Sequence, residues 1–264
     1  MPFTVSHVAA VLPPARRLLR HGALSAAIIG SMVPDFGVLM PWRPPRFETH
    51  GVTALFTFCL PVGLATFWLF QRVVKTPLLE LLPDAAYLRS RPWAAPCDWR
   101  RLSDWLRAAG GVLLGAVTHL VWDAFTHEGA RGLRMFPSLE DPAVDFAGHH
   151  VVGARLMQDL SSLVGLGVVL AVSAFALRSR GSQDGDPPPR RLAERERYRW
   201  TLAYVVVATG VTGFFCALHL HDLSPIHSFG ARLGTVAIAA LRGAALALIG
   251  VSAGLGAVIA PRAD

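Results

Sequence analysis

Runs of about 20 mostly apolar residues recur along this chain, and no other feature narrows its fold as far. In lipid, a segment of that length must satisfy its own backbone hydrogen bonds, which a helix does within itself. The candidate segments are residues 22–40, 51–71, 108–126, 160–177, 201–218 and 231–260. Pro34-Asp35 interrupts the first, and Pro61 is the expected kink of the second. The last carries Gly250-x-x-x-Gly254, a spacing that lets helices approach closely. Composition agrees. Of 264 residues, 53% are hydrophobic and 16% charged, with mean hydropathy +0.43, whereas a soluble domain carries about 25% charged residues. The expected fold is all-α, a polytopic transmembrane helical bundle of five to six segments, with room for re-entrant N-terminal helices. Three regions follow: a motif-bearing membrane domain (residues 1–177), a flexible loop (178–200) and C-terminal membrane helices (201–264).

The formal net charge of +7 is carried mostly by Arg in short blocks beside the apolar runs. That placement fits a topology signal and lipid-headgroup contact better than a nucleic-acid footprint, so the bilayer is the expected partner. Seven basic residues from Arg72 to Arg107 separate the second and third segments, and seven from Arg178 to Arg199 separate the fourth and fifth. By the positive-inside rule both stretches face the cytoplasm, as do Arg16, Arg17 and Arg20. Residues 41–50, 127–159 and 219–230 then face the outside. The N-terminal apolar stretch ends in Met32-Val33-Pro34-Asp35-Phe36 without a small-x-small cleavage pattern, so it reads as retained. Three Cys without a CxxC spacing support neither a disulfide framework nor a zinc knuckle.

Against that topology, built from Arg alone, most of the ten His fall on one side. His50, His127, His149, His150, His219, His221 and His227 lie in or beside the outer loops. His119 sits about 18 Å along the third segment from its cytoplasmic start, in the outer half of the bilayer. The spacing His119-x3-Asp123-x3-His127 puts three candidate ligands on one helix face if the helix runs on. An ionised Asp in a membrane segment costs several kcal/mol unless it is paired or solvated, and a divalent cation offsets that cost. His and Asp without Cys suit zinc, manganese or iron. Blander roles compete. His119 suits a core His bonded to a neighbouring helix, Asp123 a partner of Arg or of a helix N-terminus, and His149-His150 a solvated loop. His219, His221 and His227 read better as interfacial polar residues than as ligands.

Four stretches also carry a resemblance: Met1-Pro2-Phe3-Thr4-Val5-Ser6-His7, Ile29-Gly30-Ser31-Met32-Val33-Pro34-Asp35, Thr49-His50, and Gly115-x3-His119-x2-Trp122-Asp123-x2-Thr126-His127. Together they resemble an uncharacterised bacterial membrane family that begins with an MPFT-SH motif and carries a GxxxHLxWDxxTH motif. The likeness covers roughly residues 1–175, to Gln158-x2-Ser161-Ser162. That family in turn resembles membrane-bound metal-dependent hydrolases. More distantly, it resembles the zinc-dependent phospholipase C and P1 nuclease superfamily. The resemblance implies metal ligands at His7, Asp35, His50, His119 and Asp123, with His127 and His149 or His150 added. It implies a divalent metal, zinc first, and a metal-activated water attacking a phosphoester or lipid headgroup. The superfamily's later His-x3-Glu pair has no counterpart, because Gly153 and Ala154 follow His149 and His150. One or two ions are therefore expected rather than three. The implied location is a bacterial inner membrane, with the site towards the periplasmic face. For His7 to join the site, residues 1–20 must insert or re-enter. The alternative is a non-enzymatic metal-binding, structural or transport protein.

Overall fold

A computed structural model of the protein describes residues 4–20, 22–40, 42, 44–90, 97, 99–127, 129–139, 142–146, 149–179, 191–221 and 229–259. Among the described residues the chain is mostly helical, with turns between the helices and one short antiparallel ribbon. That ribbon pairs β1 (Pro142–Phe146) with β2 (His149–Val152). Among the described residues, five helices are long and apolar enough to cross a membrane: Leu55–Leu81, Leu102–Thr126, Gly153–Ala176, Glu194–Ala217 and Val236–Ile259.

Residues 22–40 depart from the expectation of a span. Their path is broken into α2 (Leu24–Gly30), a turn at Ser31-Met32 and a 3-10 stretch over Val33–Leu39. Pro34 has no amide hydrogen to continue the helix of α2. The buried Asp35 is drawn to polar partners instead of lipid. The whole N-terminal region is built from such pieces. It runs through a 3-10 helix over Thr4–Val11, then α1 (Ala15–Arg20), α2 and α3 (Arg46–His50). Hydropathy averaged over a window reads apolar content but not the breaks within it.

The span Leu55–Leu81 contains α4 (Leu60–Leu69) and α5 (Lys75–Leu81), each preceded by a widened π turn, Leu55–Cys59 and Phe70–Val74. Both π turns have a cause. A proline ring collides with the carbonyl four residues back. For Pro61 that residue is Thr57 and for Pro77 it is Val73, each inside a π turn. The chain thus widens where the proline would clash and continues as a helix. A short helix, α6 (Asp84–Ser90), follows, and the remaining long helices are α7 (Leu102–Thr126), α8 (Gly153–Ser179), α9 (Glu194–His221) and α10 (Phe229–Ile259).

Two compact units arise: residues 1–67 with 97–179, and residues 68–96 with 180–264. In the first, α2 lies along α7 through small residues. A side chain on Gly30 would strike the backbone of Val112, and one on Gly115 the backbone of Ala27, Gly30 and Ser31. Close backbone approach through Gly and Ala is how membrane helices gain contact when lipid is as apolar as they are. The 3-10 helix Thr4–Val11 packs on α8, where Gly165 leaves room for Ser6. The outward face of α7 carries Leu114, Val117, Val121 and Phe125, an apolar surface suited to lipid.

In the second unit α9 and α10 pack together, with Gly243 against Thr212. Gly250, expected to be a close-packing position, faces open space, and Gly254 reaches only the rim of Trp200. The small-residue contact of this pair therefore lies two turns away from where the motif suggests. Arg191 and Arg197 end the span Leu55–Leu81. Arg191 donates to the carbonyls of Glu80 (3.0 Å) and Leu82 (2.8 Å), pairs with Asp84, and covers the Tyr87 ring at 3.9 Å. Cations at a helix C-terminus complement its dipole. The Arg197 hydrogen bond, then the charges of Arg197 and Arg191, hold the Asp84 carboxyl below its ordinary value. Two Arg residues expected only as topology signals thus also close a helix. The α9 helix starts at Glu194, earlier than residue 201, and residues 180–190 lie outside the described residues.

Candidate metal centre

One face of α7 is a stripe at four-residue spacing: Gly111, Gly115, His119, Asp123. Residues at i and i+4 stack on one side of a helix. The two glycines let α2 approach, and the next two positions turn His119 and Asp123 into the interior, where both are buried. The helix ends at Thr126, so it does not run on through His127. That residue is extended, yet its amide still donates to the Asp123 carbonyl at 3.2 Å. Its ring Nδ1 lies 3.4 Å from Asp123 Oδ1.

The other side chains come from the broken N-terminal region. His7, fully buried, stacks on His119 with ring centroids 3.8 Å apart, and Trp122 meets its edge. Trp122 in turn donates to Ser161 Oγ on α8 at 3.2 Å. Asp35 and His50 complete the group, with His50 Nε2 3.4 Å from Asp35 Oδ1 and 3.6 Å from Asp123 Oδ2. His119 Nε2 lies 3.7 Å from Asp35 Oδ1 and 3.4 Å from Asp123 Oδ2. His7 Nε2 is 3.6 Å from Asp123 Oδ1. In two overlapping sets, His7–His119–Asp123 and Asp35–His50–His119, one ligand atom from each residue lies within 4.8 Å of the others.

The outer hydrogen bonds decide which ring nitrogens point inward bare. His119 Nδ1 meets the Ser31 carbonyl at 2.7 Å, and a carbonyl only accepts, so Nδ1 carries the proton of the neutral ring. Thr49 donates its hydroxyl hydrogen to the Arg46 carbonyl at 3.2 Å and accepts from His50 Nδ1 at 2.7 Å. In the neutral form of the two rings both Nε2 atoms are then lone pairs facing carboxylate oxygens. Neither has a hydrogen-bond partner, and the same holds for both His7 ring nitrogens, Asp123 Oδ1 and His127 Nδ1. Buried polar atoms are almost always satisfied. Five residues with orphaned atoms surround one point, at 3.4–3.7 Å from one another where His meets carboxylate, an arrangement that could hold a cation. Ligands at ~2.0–2.1 Å around a tetrahedral ion lie about 3.4 Å apart.

Burial, then the His119 ring, pushes His7 down to about 4, which keeps it neutral and able to bind metal. Burial also lowers His127; the Asp123 charge opposes it and Arg46 adds to it. Burial works against ionisation of Asp35, but the His50, His119 and Thr4 side chains more than offset it and leave the carboxyl below its ordinary value. Thr4 donates to Asp35 Oδ2 at 2.9 Å.

The structure thus brings His7, Asp35, His50, His119, Asp123 and His127 together. His149 and His150 lie on β2, paired by backbone with Phe146 and Asp145; their side chains lie outside those described. Sequence reasoning missed Arg46, whose Nη2 donates to Asp123 Oδ2 at 2.6 Å. The available signals were a basic residue in an outer loop otherwise poor in them, and the spacing Arg46-x3-His50. Thr4 and Thr49 were also missed as supports, although both stand in stretches that carry the family resemblance.

A family model described as Domain of unknown function (DUF4184) matches residues 1–253. No curated protein and no solved structure matches the chain.

Proposed function

The chain belongs to the DUF4184 family, a domain of unknown function, and from that premise we propose that its buried His/Asp cluster is the divalent-metal centre of a membrane-bound hydrolase acting on a phosphoester. One observation carries the reading. The Nε2 atoms of His50 and His119 each lie 3.4 Å from a carboxylate oxygen, of Asp35 and Asp123 respectively, and are buried without a hydrogen-bond partner among the described residues. Metal-binding imidazoles characteristically donate their other N–H outward, as these two do to Thr49 and Ser31.

His50, His119, Asp35 and Asp123 Oδ2 would hold one ion, and His7, His127 and Asp123 Oδ1 a second, with Asp123 shared. All are N and O donors, which suits zinc first among borderline metals. A bound cation of this kind supplies Lewis-acid polarisation of a phosphoryl oxygen and lowers the pKa of a coordinated water towards ~7. The chain's own residues do the rest. Thr4 and Thr49 orient Asp35 and His50, while Ser31 fixes the His119 ring. His127, whose side chain is 19% exposed against 0% for His7 and His119, forms the rim from which substrate enters. A bacterial inner membrane, with the site towards the outer face, is the location this reading favours. The sequence carries no internal repeat, which weighs against transport.

Elemental mass spectrometry on detergent-purified protein tests it. Wild type is expected to hold one or two zinc or manganese ions per chain, and His119→Ala and Asp123→Ala close to none. Wild type that stays metal-free after reconstitution with several divalent ions sinks the reading. A second reading, a structural polar cluster without metal, is favoured by one contact: Arg46 already neutralises Asp123.

A further inference from the structure

We infer that Arg46 is the anion receptor of the centre, presenting the free edge of its guanidinium to a phosphate oxyanion beside the metal. The inference rests on the metal reading above and extends it to substrate recognition. Arg46 lies one turn before His50 on α3, so the same short helix presents a ligand and a cationic side chain to one site. Its Nη2 is held by Asp123 at 2.6 Å, which points the fork at the cluster. A guanidinium carries five N–H donors in a planar fork. This contact uses one nitrogen, while the side chain is 48% exposed and its Nε and Nη1 groups bond to no other protein atom among the described residues. An Arg serving only to neutralise Asp123 would have no need of an open edge.

Charge points the same way. Asp35, Asp123 and Arg46 together leave one net negative charge, which favours a cation and repels an anion. Each divalent ion adds two positive charges, so the loaded site with Arg46 turns attractive to an anion. Planar bidentate recognition of phosphate oxygens is what a guanidinium does and an ammonium does less well. Trp42 and Phe47, on either side of Arg46 in sequence, are 71% and 74% exposed. Exposed aromatic residues of this kind sit at headgroup level. The phosphate can therefore belong to a lipid headgroup or be free in solution.

The test uses full-length protein, zinc-loaded and checked for metal content, in three forms: wild type, Arg46→Ala and Arg46→Lys. Binding of inorganic phosphate is measured by calorimetry. The expected result is at least tenfold weaker binding for Arg46→Ala and an intermediate value for Arg46→Lys, at unchanged zinc content. Because linkage is reciprocal, phosphate should also tighten zinc binding in wild type but not in Arg46→Ala. Zinc-loaded Arg46→Ala that binds phosphate within twofold of wild type overturns the inference and leaves the metal centre standing. So does zinc-loaded wild type that binds no phosphate. Wild type that takes up no zinc overturns the parent reading and this one with it. A second arm repeats the titration in nanodiscs of phosphatidylcholine with and without phosphatidic acid. Loss of phosphate binding in the phosphatidic acid discs supports a headgroup ligand at Arg46, and equal binding in both supports a soluble one.

Discussion

One residue outside the proposed ligand set orients a member of it. Thr49, which donates to the Arg46 carbonyl, is left to accept from His50 Nδ1 and so turns Nε2 towards the carboxylates. Thr49→Val keeps the buried volume close to that of threonine but removes this constraint. Metal affinity should fall about 10–100-fold, the usual effect of losing an outer hydrogen bond to a ligand. Competition with a chromophoric chelator would measure it, with circular dichroism showing an unchanged helix signal. No loss of affinity would mean that Thr49 only fills space. At this scale the sequence was readable where spacing alone implies juxtaposition. His119 and Asp123 lie four apart on a helix, so their meeting follows from helix geometry. Arg46, Thr4 and the Ser31 carbonyl reach the site only through the path of the broken N-terminal segments. No local pattern encodes that path.

The α2–α7 contact is where packing and site depend on each other. Gly115 is one turn from His119, and any side chain there runs into the Ala27, Gly30 and Ser31 backbone. Gly115→Val should push α2 away, take the Ser31 carbonyl from His119 Nδ1, and lower both thermal stability and metal content. Gly110, on the same helix, has nothing within 4 Å of a would-be Cβ. Gly110→Ala should keep full metal content and gain about 0.5–1 kcal/mol from helix propensity. Thermal melts with metal analysis on both variants separate the two glycines. Equal behaviour of the pair would refute the close-approach argument. The four later spans from Leu102 onward were visible as apolar runs of sufficient length, within several residues at their ends. Residues 22–40 misled because the average of a window hides a chain break, and Pro34-Asp35 made a break instead of a kink. The widened turns before Pro61 and Pro77 show the opposite outcome, a helix that absorbs its prolines.

The molecule as a whole divides so that all six clustered His and Asp residues belong to the first unit, residues 1–67 with 97–179. Damage confined to the second unit should therefore leave metal binding intact. Arg191 is the place to inflict it. Its side chain is 5% exposed, and it serves Asp84 and the carbonyls of Glu80 and Leu82. Arg191→Ala should cost about 1–3 kcal/mol through its lost hydrogen bonds to the Glu80 and Leu82 carbonyls, while metal per folded chain stays at the wild-type value. Loss of both would show that the second unit is needed for the site. Chelation should act in the reverse sense. Stripping an ion held at 100 times its dissociation constant removes about 2.7 kcal/mol of stability, seen as a lower melting temperature that added zinc restores. The same division has a consequence for how the protein is made. Chains emerge N-terminus first, so His7, Asp35 and His50 leave the ribosome well before His119 and Asp123, with residues 68–96 of the other unit made in between. A nascent chain halted ahead of α7 holds only three of the six clustered side chains, His7, Asp35 and His50. If the cluster binds an ion as proposed, metallation follows the synthesis of α7.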